Sequence, residues 1–203
     1  MNFMSAYQIH LSKDKKLKTL IDNRDSFVLK QEKNICLYLC YSIMSQQLST
    51  KVAAVFHQRF IELYKGKEPT AKQIVETKFE TLRAIGLSNA KAKYILNVAN
   101  FEIENGMSAK KLNKMSNEEV ITYLTQIKGV GKWTVEMLLM FALGREDVFA
   151  VDDFGIQSAM IKMYNLNAED KKEMRQRMLK ISAKWEPFRT YACLHLWHWK
   201  DEK

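Results

Sequence analysis

A chain of 203 residues, 47% hydrophobic and 11% aromatic, has enough apolar material for a sizeable core, which excludes disorder as a description of the whole. Seven glycines and 2 prolines are too few for the many tight turns of an all-β protein of this length. With 32 Lys and Arg against 23 Asp and Glu the net charge is +9, which favours a polyanionic partner, nucleic acid ahead of an anionic membrane surface.

In chain order the pattern is helix after helix. The stretch 34–45, NICLYLCYSIMS, is apolar almost all round, as a central buried helix requires. Ser49 is placed to cap a helix whose Val52, Val55, Phe56, Phe60 and Leu63 recur at spacings of three and four. Thr70 and Gln73, after Pro69, make a capping box for a short helix. The next carries Phe79, Leu82 and Ile85 and stops at Gly86. Ser88 opens a longer helix ending near Gly106, with Tyr94, Ile95, Val98 and Ala99 inward.

Ser116 and Glu119 form a second capping box ahead of the stripe Val120, Ile121, Leu124 and Ile127. Gly129-Val130-Gly131 interrupts, helical periodicity resumes over 133–143, and Gly144 stops it. Residues 147–151 read as an extended connector, and Asp152 or Asp153 can cap the helix beyond it. Asn167 is the expected cap of a helix reaching Trp185; Pro187 breaks it, and a last helix holds 189–199. Alternating strands, low-complexity linkers and solenoid repeats are absent from the pattern, so the fold class is all-α.

No apolar stretch reaches the ~20 residues of a bilayer span, and residues 1–11 lack the cationic-then-apolar order of a secretory signal. Cys36, Cys40 and Cys193 cannot all pair and match no metal-ligand spacing. They are read as reduced core thiols of an intracellular protein.

The most specific signal is 124–134, LTQIKGVGKWT. Two helices joined by Gly-Val-Gly leave successive backbone N–H groups exposed where the second begins, and its dipole adds partial positive charge there. Glycine allows the tight turn or the close approach of a phosphate. Gly129, Val130, Gly131, Lys132 and Thr134 are therefore expected at a nucleic-acid backbone, with Lys128 as a second flanking cation. An ordinary helix–turn–helix corner has the same composition.

Downstream lies 147–155, DVFAVDDFG. With the hairpin it resembles the helix-hairpin-helix (HhH-GPD) DNA glycosylase superfamily, in which hairpin, helix and a loop bearing an essential aspartate follow in that order. The stretches 42–49 (SIMSQQLS), 82–88 (LRAIGLS) and 185–192 (WEPFRTYA) through Trp197 resemble its alkylation-repair branch, the DNA-3-methyladenine glycosylase II type. The resemblance covers roughly residues 30 to 200. It implies a single domain of two helical lobes, roughly 30–145 with the hairpin and roughly 1–29 plus 146–203, with an active-site cleft between them. The 203 residues leave no room for the extra N-terminal domain of larger members.

Matched residue by residue, the resemblance places the catalytic carboxylate at Asp153. The wider superfamily's Val-Asp pattern would align Asp152 instead, and either aspartate can serve simply as a helix cap. Where bifunctional relatives carry a lysine that attacks the sugar, this chain has Trp133, which forms no Schiff base. Lys132 lies about 100° around the helix. A monofunctional hydrolase is expected.

Trp133, Phe154 and Trp197 match base-pocket positions, with Met137 as a soft wall. An indole face attracts a cationic alkylated purine, such as 3-methyladenine or 7-methylguanine, once it is flipped from the duplex. Trp185 and Trp199 are read as core. Gln46, Gln47 and Leu48 stand where the branch places its minor-groove wedge. Asp152 supports the loop, and Arg189 either fixes that loop or contacts phosphate.

No residue set is assigned to a metal, and three cysteines exclude the four-cysteine iron–sulphur cluster of some relatives. The resemblance allows a monovalent cation on hairpin carbonyls. The expected partner is double-stranded DNA with damaged bases, bound by an intracellular monomer (cytoplasm or nucleoid) with no membrane partner. Two alternatives stand: a non-catalytic helix-hairpin-helix module, or the same chemistry on hypoxanthine, ethenoadenine or uracil.

Overall fold

The computed structural model describes residues 4–22 and 26–201. Among them the regular structure is helical throughout, with no strand. In order these are α1 (Ala6–Leu11), α2 (Lys15–Ile21), α3 (Ile35–Ser45), α4 (Thr50–Glu62), α5 (Ala71–Glu76), α6 (Phe79–Ala84) and α7 (Asn89–Asn105). Then follow α8 (Ala109–Leu112), α9 (Asn117–Leu124), α10 (Lys132–Phe141), α11 (Phe154–Tyr164), α12 (Lys171–Ser182), a 3-10 turn (Ala183–Trp185) and α13 (Arg189–Asp201).

The capping chemistry sets most boundaries. Thr70–Gln73 and Ser116–Glu119 form reciprocal capping boxes, and Ser49 and Ser88 cap α4 and α7. Asp153, not Asp152, caps α11 through Ile156 N–H. The cap of α12 is Asp170, whose carboxylate takes the N–H groups of Lys172 and Glu173. Asn167, the expected cap, accepts from Glu169 N–H in the preceding loop. That helix ends at Ser182 and reaches Trp185 as a 3-10 turn.

The chain divides into two compact units, Gln31–Leu138 and Met1–Lys30 with Leu139–Lys203. The division falls inside α10, whereas the sequence reading put it near 145. In the first unit α3 packs against α4 and α7, and α5 and α6 lie on α7. Leu39, Ile43, Met44, Phe60, Ile74, Leu82, Ile95 and Val98 are fully buried. The expected stripe on α4 is only partly inward: Phe60 is buried, but Val52 and Val55 are exposed.

In the second unit α13 packs on α11 and α2. Tyr7 of α1 stacks flat on Tyr191 of α13, ring centroids 4.0 Å apart. Asp14 ties three elements together. Its Oδ1 caps α2 through Lys16 and Leu17 N–H, while Oδ2 accepts from Tyr164 O–H at 2.7 Å and Trp185 Nε1–H at 3.1 Å. Burial alone would raise the Asp14 carboxyl, but these donors together hold it below its ordinary value. Trp185 is core, as read from sequence, and Trp199 is half-buried with the Lys162 ammonium 5.7 Å from its ring centre.

Candidate active site and nucleic-acid contacts

In the second unit, the loop 145–153 carries both aspartates and is pinned at each end by α13. At its start, Thr190 accepts from Val148 N–H at 3.0 Å and donates to the Arg145 carbonyl at 2.6 Å. Arg189 makes a two-pronged pair with Asp147, Nε–Oδ1 2.7 Å and NH2–Oδ2 2.8 Å, and its NH1 meets Glu186 at 2.7 Å. All three guanidinium nitrogens are thus engaged, and Arg189 ties the start of the loop to α13. Burial opposes the guanidinium charge, and Asp147 beside it more than offsets that, holding its pKa up.

At the loop's end the two adjacent carboxylates diverge. Asp152 faces α12, where Arg175 binds it at 2.9 and 3.3 Å. Asp153 turns the other way. Its Oδ1 accepts both Ile156 N–H and Trp197 Nε1–H, each at 2.8 Å. These two donors on Oδ1 fix the orientation of the carboxylate.

Gly155 makes this possible. A Cβ there would lie 2.9 Å from Trp197 Cδ1 and 3.1 Å from Asp153 Oδ1, so any side chain would push the indole off the carboxylate. Around this pair the surface is aromatic. Phe154 is 79% exposed, and Phe141 lies 6.0 Å from Trp197 between ring centres. Trp197 was read as a pocket wall; its hydrogen bond to Asp153 is an added role, visible only once α13 is folded against α11.

In the first unit, the hairpin between α9 and α10 turns at Gly129, whose φ is +107°. Its Cα lies so close to Tyr94 that a Cβ would sit 2.2 Å from the ring's Cγ. Asn97 Nδ2 donates to the Lys128 carbonyl at 3.1 Å, so two α7 residues shape the turn. Val130 is buried and Gly131 exposed.

Lys132 is exposed and pairs at 3.4 Å with Glu136, a buried carboxylate one turn on. Trp133 is 47% exposed, and Thr134, one step further round, is buried at 4%. The side chains of Val130 and Thr134 face the interior, whereas the expectation for the hairpin concerns its backbone N–H groups. Met137 is likewise buried, and its carbonyl accepts Tyr38 O–H at 3.3 Å.

The wedge candidates occupy the turn between α3 and α4. Gln47 is exposed in left-handed backbone, φ +61°, while Gln46 and Leu48 are half-buried. Lys91, which nothing in the sequence pattern singled out, donates from Nζ to the carbonyls of Met44 and Gln46.

The family model for the HhH-GPD superfamily base excision DNA repair protein matches residues 40–184. DNA-3-methyladenine glycosylase 1 of Schizosaccharomyces pombe is 36% identical over 96% of this chain and 86% of its own length. The putative DNA-3-methyladenine glycosylase YfjP of Bacillus subtilis is 33% identical over 80% of this chain, which spans only 57% of that protein. Among solved structures, the S. pombe 3-methyladenine DNA glycosylase in complex with abasic DNA superposes with a TM-score of 0.80 at 34% identity, covering 95% of each chain. The chain belongs to the HhH-GPD superfamily of base excision DNA repair proteins.

Proposed function

We propose that the protein is a monofunctional DNA glycosylase that hydrolyses the N-glycosidic bond of alkylated, cationic purines in double-stranded DNA. The observation that carries this reading is the carboxylate of Asp153, held by Trp197 and Ile156 N–H on a loop pinned by α13, while its neighbour Asp152 is diverted to Arg175. A structural cap needs one oxygen; it does not need an indole donor fixing the same oxygen from another helix.

Cleavage develops positive charge on the deoxyribose. A fixed carboxylate stabilises that charge without reorganising and can take the proton of an attacking water. The C1′–N bond breaks as the water oxygen bonds C1′. The bond's electron pair goes to the purine, cancelling its charge so that it departs neutral. The water's proton passes to Asp153 or to solvent. An N3- or N7-alkylated purine needs no acid to leave, which fits a site with one working carboxylate rather than the pair of many glycoside hydrolases.

The exposed faces of Trp133 and Phe154 and the indole of Trp197 each suit an extruded cationic base, by stacking and by cation–π attraction of about 0.5–2 kcal/mol. Gly131, Lys132 and the hairpin backbone take phosphate, and Gln46, Gln47 and Leu48 the gap left in the duplex. Backbone carbonyls of the hairpin are the hard, neutral donors that a monovalent cation takes, and the Lys128 carbonyl keeps a second lone pair beside its bond to Asn97. Buried thiols at Cys36, Cys40 and Cys193 suit a reducing intracellular compartment. No helix among the described residues is long and apolar enough to cross a membrane.

The test is release of 3-methyladenine or 7-methylguanine from a duplex carrying one such base. Wild type releases it, and Asp153→Asn slows release by at least ~10²-fold while binding the duplex as well. Binding without release by wild type would leave a nucleic-acid module. Release only of hypoxanthine, ethenoadenine or uracil would keep the mechanism and change the lesion.

A further inference from the structure

Lys91 stands at the third position of α7, in the first turn after its cap Ser88. A cation there opposes the dipole of its own helix, and partial burial lowers the ammonium's pKa. The compensation lies across the unit, at the C-terminal end of α3. Lys91 Nζ is 2.9 Å from the Met44 carbonyl and 2.7 Å from that of Gln46, where the negative end of α3 and its unsatisfied carbonyls await a donor.

The same turn is held from the opposite side. Ser45 Oγ–H donates to the Tyr41 carbonyl at 2.8 Å and accepts from His57 Nε2–H of α4 at 3.0 Å. Leu48 N–H closes the turn on the Ser45 carbonyl at 3.1 Å. Between these anchors Gln47 is thrust outward in a backbone conformation that a non-glycine residue adopts only under constraint.

We propose that Lys91 is a positioning residue for the wedge: by gripping the Met44 and Gln46 carbonyls it presets the turn that presents Gln46, Gln47 and Leu48 to the gap left by an extruded nucleotide. The inference rests on the glycosylase reading for the identity of that gap, but not on catalysis. A preset turn spends no binding energy on ordering itself when it enters the duplex. A loose one binds intact DNA equally well and loses only its preference for DNA with a hole.

The experiment compares affinity for a duplex with a central tetrahydrofuran abasic analogue against the same duplex intact, with 2-aminopurine opposite the analogue to report insertion. Wild type prefers the abasic duplex. Lys91→Met lowers that preference about tenfold, with the 2-aminopurine signal, and leaves intact-duplex affinity unchanged. Lys91→Arg, which keeps charge and donors, restores most of it. Should Lys91→Met fail to fold, Lys91→Gln gives the same readout with a neutral, shorter side chain.

Unchanged preference in the Met or Gln variant, equal loss on both duplexes, or no preference in wild type would each overturn the proposal. Base release by wild type is scored separately. A protein that prefers the hole but frees no base refutes the glycosylase reading and leaves the role of Lys91 standing.

Discussion

Trp197 and Asp153 are 44 residues apart in sequence and 2.8 Å apart at their polar atoms, the indole N–H of one donating to the carboxylate of the other. Trp197→Phe removes the donor and keeps an aromatic ring of similar position. Single-turnover base release should fall about tenfold or more. The melting midpoint should stay within about 4 °C of wild type, since Ile156 N–H still holds the cap. Unchanged release would reduce Trp197 to a pocket wall.

The two hairpin glycines should part company on substitution. Gly129→Ala places a Cβ at φ +107° against both the Tyr94 ring and Tyr94 Cβ, 2.6 Å away, and should cost about 1–3 kcal/mol of stability. Truncating Tyr94 to Ala leaves that Cβ in place and should not rescue it. Gly131→Ala meets nothing within 4 Å and should melt near wild type, yet weaken duplex binding and flatten its salt dependence. Urea melts and binding isotherms at several salt concentrations separate the two.

With tryptophan at position 133, borohydride should trap no covalent protein–DNA adduct at a yield matching base release. Trapping at that yield would show a lyase amine elsewhere, with exposed Lys132 the first to replace.

Acid should loosen the second unit through Asp14. Its folded carboxyl titrates below the ordinary 3.8, so the stability it supplies is complete above that value and is lost as pH falls through the lower, folded pKa. Asp14→Asn should lower the melting midpoint at neutral pH and flatten its decline below about pH 4. Melts between pH 3 and 7 measure it; parallel acid limbs for the two proteins would sink it.

The sequence made the helices of the first unit legible because their caps are local: Thr70 with Gln73 and Ser116 with Glu119 act across three residues. The hairpin was equally plain, since only glycine tolerates the approach of Tyr94. What escaped depends on distant partners. Helices α1 and α2 are short and owe their place to Tyr191, Tyr164 and Trp185, far along the chain. Lys91 carried no motif, because its partners are carbonyls and any residue type supplies those. The divergence of Asp152 and Asp153 likewise depends on Arg175 of α12 and Trp197 of α13.

The second unit draws on both flanks of the first, and this sets a timetable on the ribosome. At about 5–20 residues per second, 31–138 emerges whole and can collapse while Tyr7 still waits for Tyr191. Asp153 leaves the tunnel seconds before Trp197. A nascent chain can therefore order the glycine hairpin of the first unit before the Asp153–Trp197 bond of the second exists.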